Sequence, residues 1–220
     1  MERFARSGKS GHEVAAPIDS RVAAGRTGMR PGLLARRTVL LALVTLVTPE
    51  RAKAEELGLP IALQVDLLDR VLRFERSYAG HGDAPAVVVL VTKGDEAPSV
   101  RAAALATAAI GKLGSLGARR VSVATQAFSS PAALRSGSRQ ADVVYLMPQF
   151  SRADLQAIAA TFADSNVLTV GASKGDAENG ATLGFELEGS KPRIVVNLRQ
   201  ARAQRLDFNA QLLRLARVLQ

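Results

Sequence analysis

Four glycines, Gly171, Gly175, Gly180 and Gly184, follow the β-like run Asn166-Val-Leu-Thr-Val170, and glycines after a strand are where a nucleotide enzyme would cradle phosphate. Such a loop needs its last glycine at a helix N-terminus, where unpaired N–H groups and the helix dipole meet the anion. Here the stretch reads from one strand into another, so turn chemistry is the expectation. Gly175 and Gly180 are expected to supply positive-φ turns, and Gly184 a close backbone approach or a bulge. The Gly-Lys-Ser of residues 8–10 is no Walker loop either, because Arg3 stands where the first glycine belongs.

Other reactive constellations are sparse. Histidine occurs only as His12 and His81, so a serine nucleophile would have only His81 as its base in the body of the chain. A buried carboxylate beside His81 would be the sign of a hydrolase. The carboxylate pairs Asp66/Asp69 and Glu186/Glu188 fall on the polar side of a helix and on a hairpin strand, where solvated charge is the ordinary role. There are no cysteines, which excludes disulfides, thiolate nucleophiles and Cys-ligated metals. No catalytic residue, metal site or cofactor is expected, and the chain reads as a non-enzyme.

The formal charge of +9 raises the question of nucleic acid, and its distribution answers it. Residues 1–54 hold ten Lys and Arg against four Asp and Glu, so two thirds of the excess lies there. The remainder has no basic run and no aromatic stacking pattern, so nucleic-acid binding is not expected. Residues 1–28 lack apolar periodicity and read as a disordered extension, or as a misassigned start ahead of Met29. Residues 29–54 read as a cleaved export signal. Arg30, Arg36 and Arg37 form its basic region, Thr38–Val47 its apolar region, and Ala52-Lys53-Ala54 its cleavage site. The apolar run falls short of a bilayer span, which makes a permanent anchor the weaker reading beside a cleaved signal, and Arg36-Arg37 leaves general and twin-arginine export both open.

Residues 55–220 therefore form a single domain, expected to be exported to the periplasm, and must supply the elements that position any site. Ile61–Tyr78 places Ile61, Val65, Leu68 and Leu72 on one helical face, with Asp66→Arg70 and Asp69→Arg73 as i,i+4 pairs. After the His81-Gly-Asp-Ala-Pro85 break, Ala86–Thr92 is too continuously apolar for a one-sided strand and suits a parallel sheet covered on both faces. The alternation continues: helix Ser99–Leu116, strand Arg120–Thr125, a short helix near Pro131–Leu134, strand Asp142–Met147, helix Arg152–Phe162, strand Asn166–Val170. The fold class is α/β, three-layer, with a mostly parallel sheet. A C-terminal antiparallel hairpin follows, Thr182–Glu188 with Arg193–Val196 around a four-residue loop, Gly189-Ser-Lys-Pro192. Asn197 caps a short helix through Ala203, and Asn209 opens a terminal helix with Leu212, Leu213, Ala216 and Leu219 on one face. Leu213 is expected in the core, with Leu213→Ala costing about 2–5 kcal/mol, and Arg217 on the surface.

A parallel sheet offers a crevice beyond the carboxyl ends of its strands. The candidate ligand crevice is Thr92 and Lys93 from the first strand, Thr125 and Gln126 from the second, Gln149 after the third, and Gly171, Ser173 and Lys174 after the fourth. These side chains suit a small polar or anionic ligand, and equally the role of ordinary loop and capping residues.

The carboxyl half resembles the YfiR-like family of exported bacterial proteins. The match lies in Ala141–Pro148, the Gly180–Leu187 strand of form G-x-x-x-x-F-x-L, the Asn197-Leu198-x-x-Ala201-Arg202 segment, and the Asn209–Arg217 helix. The resemblance implies a periplasmic α/β domain, often a homodimer, and a partner that is a membrane protein. The family's best-known member represses a membrane-anchored diguanylate cyclase by binding its periplasmic part, which lowers cyclic-di-GMP. The aromatic end of the family's first helix is reduced here to Phe74 and Tyr78, and redox control through disulfides is excluded by composition. Two functions follow as expectations: a non-catalytic regulatory domain that docks on a membrane protein, or a periplasmic small-ligand binding protein.

Overall fold

The computed structural model describes residues 58–220, so the extension and export signal expected at 1–54 lie outside the described residues. The elements run α1 (Ile61–Leu72), α2 (Arg76–Ala79), β1 (Ala86–Thr92), α3 (Ala97–Leu113), β2 (Ser115–Leu116), β3 (Arg119–Ala127), α4 (Pro131–Gly137) and β4 (Val143–Leu146). They continue with α5 (Arg152–Thr161), β5 (Leu168–Val170), α6 (Lys174–Glu178), β6 (Leu183–Glu188), β7 (Lys191–Asn197), α7 (Leu198–Ala203), α8 (Ala210–Leu215) and β8 (Arg217–Leu219). One eight-stranded sheet has the order β2-β3-β1-β4-β5-β6-β7-β8. Strands β3, β1, β4, β5 and β6 run parallel to one another, while β6 and β7 form the antiparallel hairpin.

The period-2 alternation of strand side chains divides the core in two. Val88, Leu90, Val143 and Tyr145 face one way, into a large core with Val65, Leu68 and Leu72 of α1 and Ala102, Ala106 and Ile110 of α3. Val89, Val91, Val144 and Leu146 face the other, against Leu134 of α4 and Leu155 and Ile158 of α5. Sheet between two helical layers is the three-layer α/β arrangement that the unbroken apolar β1 requires.

Several boundaries differ from the sequence pattern. The first helix stops at Leu72, and α2 resumes after Glu75, whose side chain accepts the Tyr78 N–H. Of its two expected ion pairs, Asp69–Arg73 forms, at 3.0 Å. The end of the next expected helix is instead β2, a short antiparallel partner of β3. The hairpin turns through Gly189-Ser190 alone, since Glu188 already pairs with Lys191.

The glycine stretch does not run directly between strands: α6 intervenes, so Gly175 is helical rather than a positive-φ turn. Gly180 does take the turn, at φ 131°. Gly184 is a close approach, since a Cβ there would lie 2.3 Å from the Ser173 carbonyl oxygen, which lets α6 sit flat on the hairpin.

The terminal helix is shorter than its apolar pattern. Ala216 is extended, at φ −92° and ψ 156°, and Arg217–Leu219 pairs in parallel with β7 as β8. That shift changes which leucine is core: Leu212 is buried and Leu213 only half-buried, so the cost of about 2–5 kcal/mol belongs to Leu212.

Candidate functional site

The carboxyl end of β1 carries an open cleft of about 430 Å3 lined by Lys93, Gly94, Asp95, Glu96 and Phe128. Lys93 is its centre. Its Nζ lies 2.7 Å from Asp154 Oδ2 and 5.2 Å and 5.7 Å from the ring centres of Phe128 and Phe150. The two rings meet edge to face at 5.3 Å. Asp154 is held in turn by the capping box of α5, accepting hydrogen bonds from the backbone N–H and the hydroxyl of Ser151. Burial alone would raise the Asp154 carboxyl, but the hydrogen bonds from Lys93 and Ser151 outweigh it and hold it below the usual carboxylate range. The result is an anchored ammonium against aromatic faces, beside an acidic rim.

Of the eight crevice residues read from the sequence, only Lys93 lines this cleft. Thr92 is buried, and its carbonyl accepts the N–H groups of Gly94 and Phe128. Thr125 lies inside β3, which runs two residues further than expected, and Gln126 turns toward α4, donating to the Ala133 carbonyl at 3.2 Å. Gln149 is exposed, with the strained φ of 90°. Gly171, Ser173 and Lys174 build the start of α6 instead. Ser173 caps that helix, Lys174 pairs with Glu178 at 3.3 Å, and Gly171 makes room for Asp176. Sequence reasoning missed Phe128, Phe150 and Asp154. The Ser151-x-x-Asp154 box was a visible helix start, but nothing in the spacing joins Asp154 to Lys93.

Behind α6 the Asp176 carboxyl is pushed up, mainly by burial, against the opposing hydrogen bonds of Ser173. Burial also raises the Tyr145 hydroxyl, with Asp176 adding to it. Tyr145 is bonded to the Gln64 side chain, whose amide donates to the Leu59 carbonyl at 2.5 Å. This polar chain is internally satisfied.

At the opposite end of the strands, a carboxylate that is mostly but not fully buried does stand beside His81: Asp142 Oδ1 is 3.1 Å from its Nδ1. Its partners give it a structural task. Arg119, 7% exposed, donates to Asp142 and to the carbonyls of Ala84 and Pro85, and lies 4.5 Å from the Tyr78 ring centre. The other Asp142 oxygen accepts the Val87 N–H at 2.8 Å. The adjoining space is about 10 Å3, and no serine, threonine or cysteine is among its lining residues. A water fits there, and a substrate does not.

A third feature is an apolar groove of about 220 Å3 between α1, β7 and α8. Leu67, Phe74, Ile194 and Leu212 form its walls, Arg70 and Arg193 flank it, and Leu215 is 66% exposed at its edge. No group of three or more His, Asp or Glu that could hold a metal occurs among the described residues.

Fold and sites together define a three-layer α/β domain with an open strand-end cleft and an apolar surface groove. A family model described as YfiR/HmsC-like matches residues 62–217, and the chain belongs to that family. No curated protein matches it. Among solved structures it is similar to the ABC domain in complex with L-Trp from Streptococcus pneumonia, at 14% identity and TM-score 0.53, covering 73% of this chain and 62% of that one. It is similar also to a conserved domain protein from Vibrio cholerae O1 biovar El Tor strain N16961, at 15% identity and TM-score 0.53, covering 73% and 60%. The chain thus spans about three fifths of the length of each, and these likenesses show the fold. No described helix is long and apolar enough to cross a membrane.

Proposed function

We propose that this protein is an exported regulatory domain that docks on a membrane protein in the periplasm, with the periplasmic part of a diguanylate cyclase as the partner that family membership favours. The observation that carries this reading is the groove between α1, β7 and α8. Leu215 is left mostly in water at the edge of an apolar floor, a placement that suits a partner's apolar side chain. Arg70 and Arg193 beside it suit carboxylates on the same segment. The partner is then an acidic segment carrying apolar anchors. The test is recovery of a membrane protein with the tagged chain from envelope membranes, together with cyclic-di-GMP levels after deletion. Leu215→Asp should abolish the recovery and reproduce the deletion. Unchanged cyclic-di-GMP in both strains would refute the cyclase assignment, and equal recovery by Leu215→Asp would refute the groove.

A small-ligand role has its own support in the Lys93 cleft, whose volume falls in the range of small-molecule sites. A thermal-shift panel of metabolites tests it. A ligand at a hundredfold excess over its Kd stabilises by about 2.7 kcal/mol, and Lys93→Met should remove that shift.

A further inference from the structure

The charges of the domain are unevenly spread. Residues 97–141 hold six Lys and Arg and no Asp or Glu, while the rest of residues 55–220 holds thirteen against sixteen. This acid-free stretch is α3, β2, β3 and α4, which gather at the β2-β3 edge of the sheet, α3 on one face and α4 on the other. Asp95 and Glu96 stand just ahead of α3, and the next carboxylate is Asp142. Two of the six cations are engaged inside the fold, Arg119 with Asp142 and Arg135 at 5.4 Å from the Phe162 ring centre. Arg101 and Lys112 on α3, Arg120 on β3 and Arg139 after α4 are exposed, and none has an ion-pair partner among the described residues.

The same edge is apolar as well as basic. Helix α3 buries Ala102, Ala103, Ala106 and Ile110, and turns Ala97, Arg101, Ala104, Ala108 and Lys112 to solvent at three- and four-residue spacing. Among the described residues it holds three of the five large apolar side chains left exposed, Val100 at 45%, Leu105 at 60% and Leu113 at 40%. Beyond Arg120 the margin of β3 has no strand partner among the described residues, and residues 121–134 carry no charge that would repel an anion. No residue of α3 or β3 lines any of the three clefts described above. Protein partners anchor in pockets of that kind. A phospholipid surface needs none: it takes apolar side chains beneath its headgroups and cations among its phosphates.

We infer that the α3–β3 end of the domain rests on an anionic phospholipid surface. Arg101 and Lys112 meet the phosphates, with their stems lying beside Leu105 as it enters the headgroup boundary. Arg120 and Arg139 add to the attraction across the sheet edge. Strand β7 stands toward the other end of the strand order, so lipid at α3 leaves the β7 side of the apolar groove open to a protein partner.

The experiment is cosedimentation of soluble protein, recovered after expression of the full chain, with vesicles of phosphatidylcholine alone or mixed with an equal part of phosphatidylglycerol. Binding should require phosphatidylglycerol and be lost near about 1 M salt, where screening sets in within about 3 Å. Arg101→Gln with Lys112→Gln should weaken it by about 10–30-fold. Leu105→Glu should weaken it by at least about tenfold. Lys191→Gln with Arg202→Gln removes the same charge from exposed positions on β7 and α7, and should change binding by less than about threefold. The chain has no tryptophan, so Leu105→Trp supplies a single reporter whose emission should shift to the blue on the mixed vesicles. Equal binding to phosphatidylcholine alone overturns the inference. So does an equal loss in the two double variants, which would reduce the effect to net charge, or an unmoved Leu105→Trp spectrum on vesicles that sediment the protein. Absence of binding to the mixed vesicles at low salt also overturns it, and would turn the basic edge toward an acidic protein partner instead.

Discussion

The starts of α5 and α6 are built alike and behave oppositely. Each opens with serine and places aspartate three residues on: Ser151 and Asp154, Ser173 and Asp176. In both, the serine hydroxyl accepts the aspartate N–H and the aspartate side chain reaches back to the serine N–H. Yet Asp154 is shifted down and Asp176 up. The motif fixes the local turn, and the surroundings fix the charge. Asp154 meets Lys93 at the mouth of the open cleft, whereas Asp176 is pressed against Gly171 under the sheet end, with no cation among the described residues offsetting its burial. One capping box can serve a binding surface; the other serves the core.

The largest test of this contrast is Gly171→Ala. A Cβ there would sit 2.2 Å from Asp176 Cβ, so it should destabilise by about 1–3 kcal/mol in denaturant titration. Next come the caps: Ser151→Ala and Ser173→Ala should each cost about 1 kcal/mol, and equal losses would show that local cap energy is independent of the environment that splits the aspartates.

Smaller still is Lys93→Met, at about 0–1 kcal/mol in thermal melts, because the pair it breaks is partly exposed. A loss several times larger would put Lys93 in the core rather than the cleft. Finally, the pH slopes should have opposite signs. A lowered carboxylate stabilises above the usual unfolded value and loses this as pH falls through its lowered value, so the Lys93→Met deficit should vanish only in strong acid. A raised carboxylate acts the other way: the Asp176 contribution worsens as pH climbs from the usual carboxylate range through its raised value. Asp176→Asn should flatten that part of the stability profile, and an unchanged slope would contradict the burial that sets Asp176 apart.

The same contrast explains what the sequence revealed. Signals carried within a few residues were legible: the unbroken apolar run of β1, the amphipathic face of α1, and the caps Asn197 and Asn209 all stand where the pattern placed them. Helix α6 escaped notice because five residues hold too little periodicity, although its Ser173-x-x-Asp176 signature was there to read. β8 was hidden for another reason. Arg217–Leu219 continues a helical apolar pattern, and pairing with β7 overrides that local preference. The cleft depended most on distance in sequence. Lys93 was found, being at a strand end, but Phe128, Phe150 and Asp154 join it only because β3 and β4 flank β1. The groove was likewise out of reach, since Leu67 and Leu215 meet only through the packing of α1, β7 and α8.

The two-residue strand β2 has a consequence out of proportion to its length. It occupies the exposed side of Arg119 and Arg120 and nothing beyond. Any polypeptide docking along β3 abuts it there and can slide no further. It works as a buffer stop at the end of a track, restricting the alignments open to an incoming strand and blunting the runaway stacking that a bare, uncharged margin would otherwise invite.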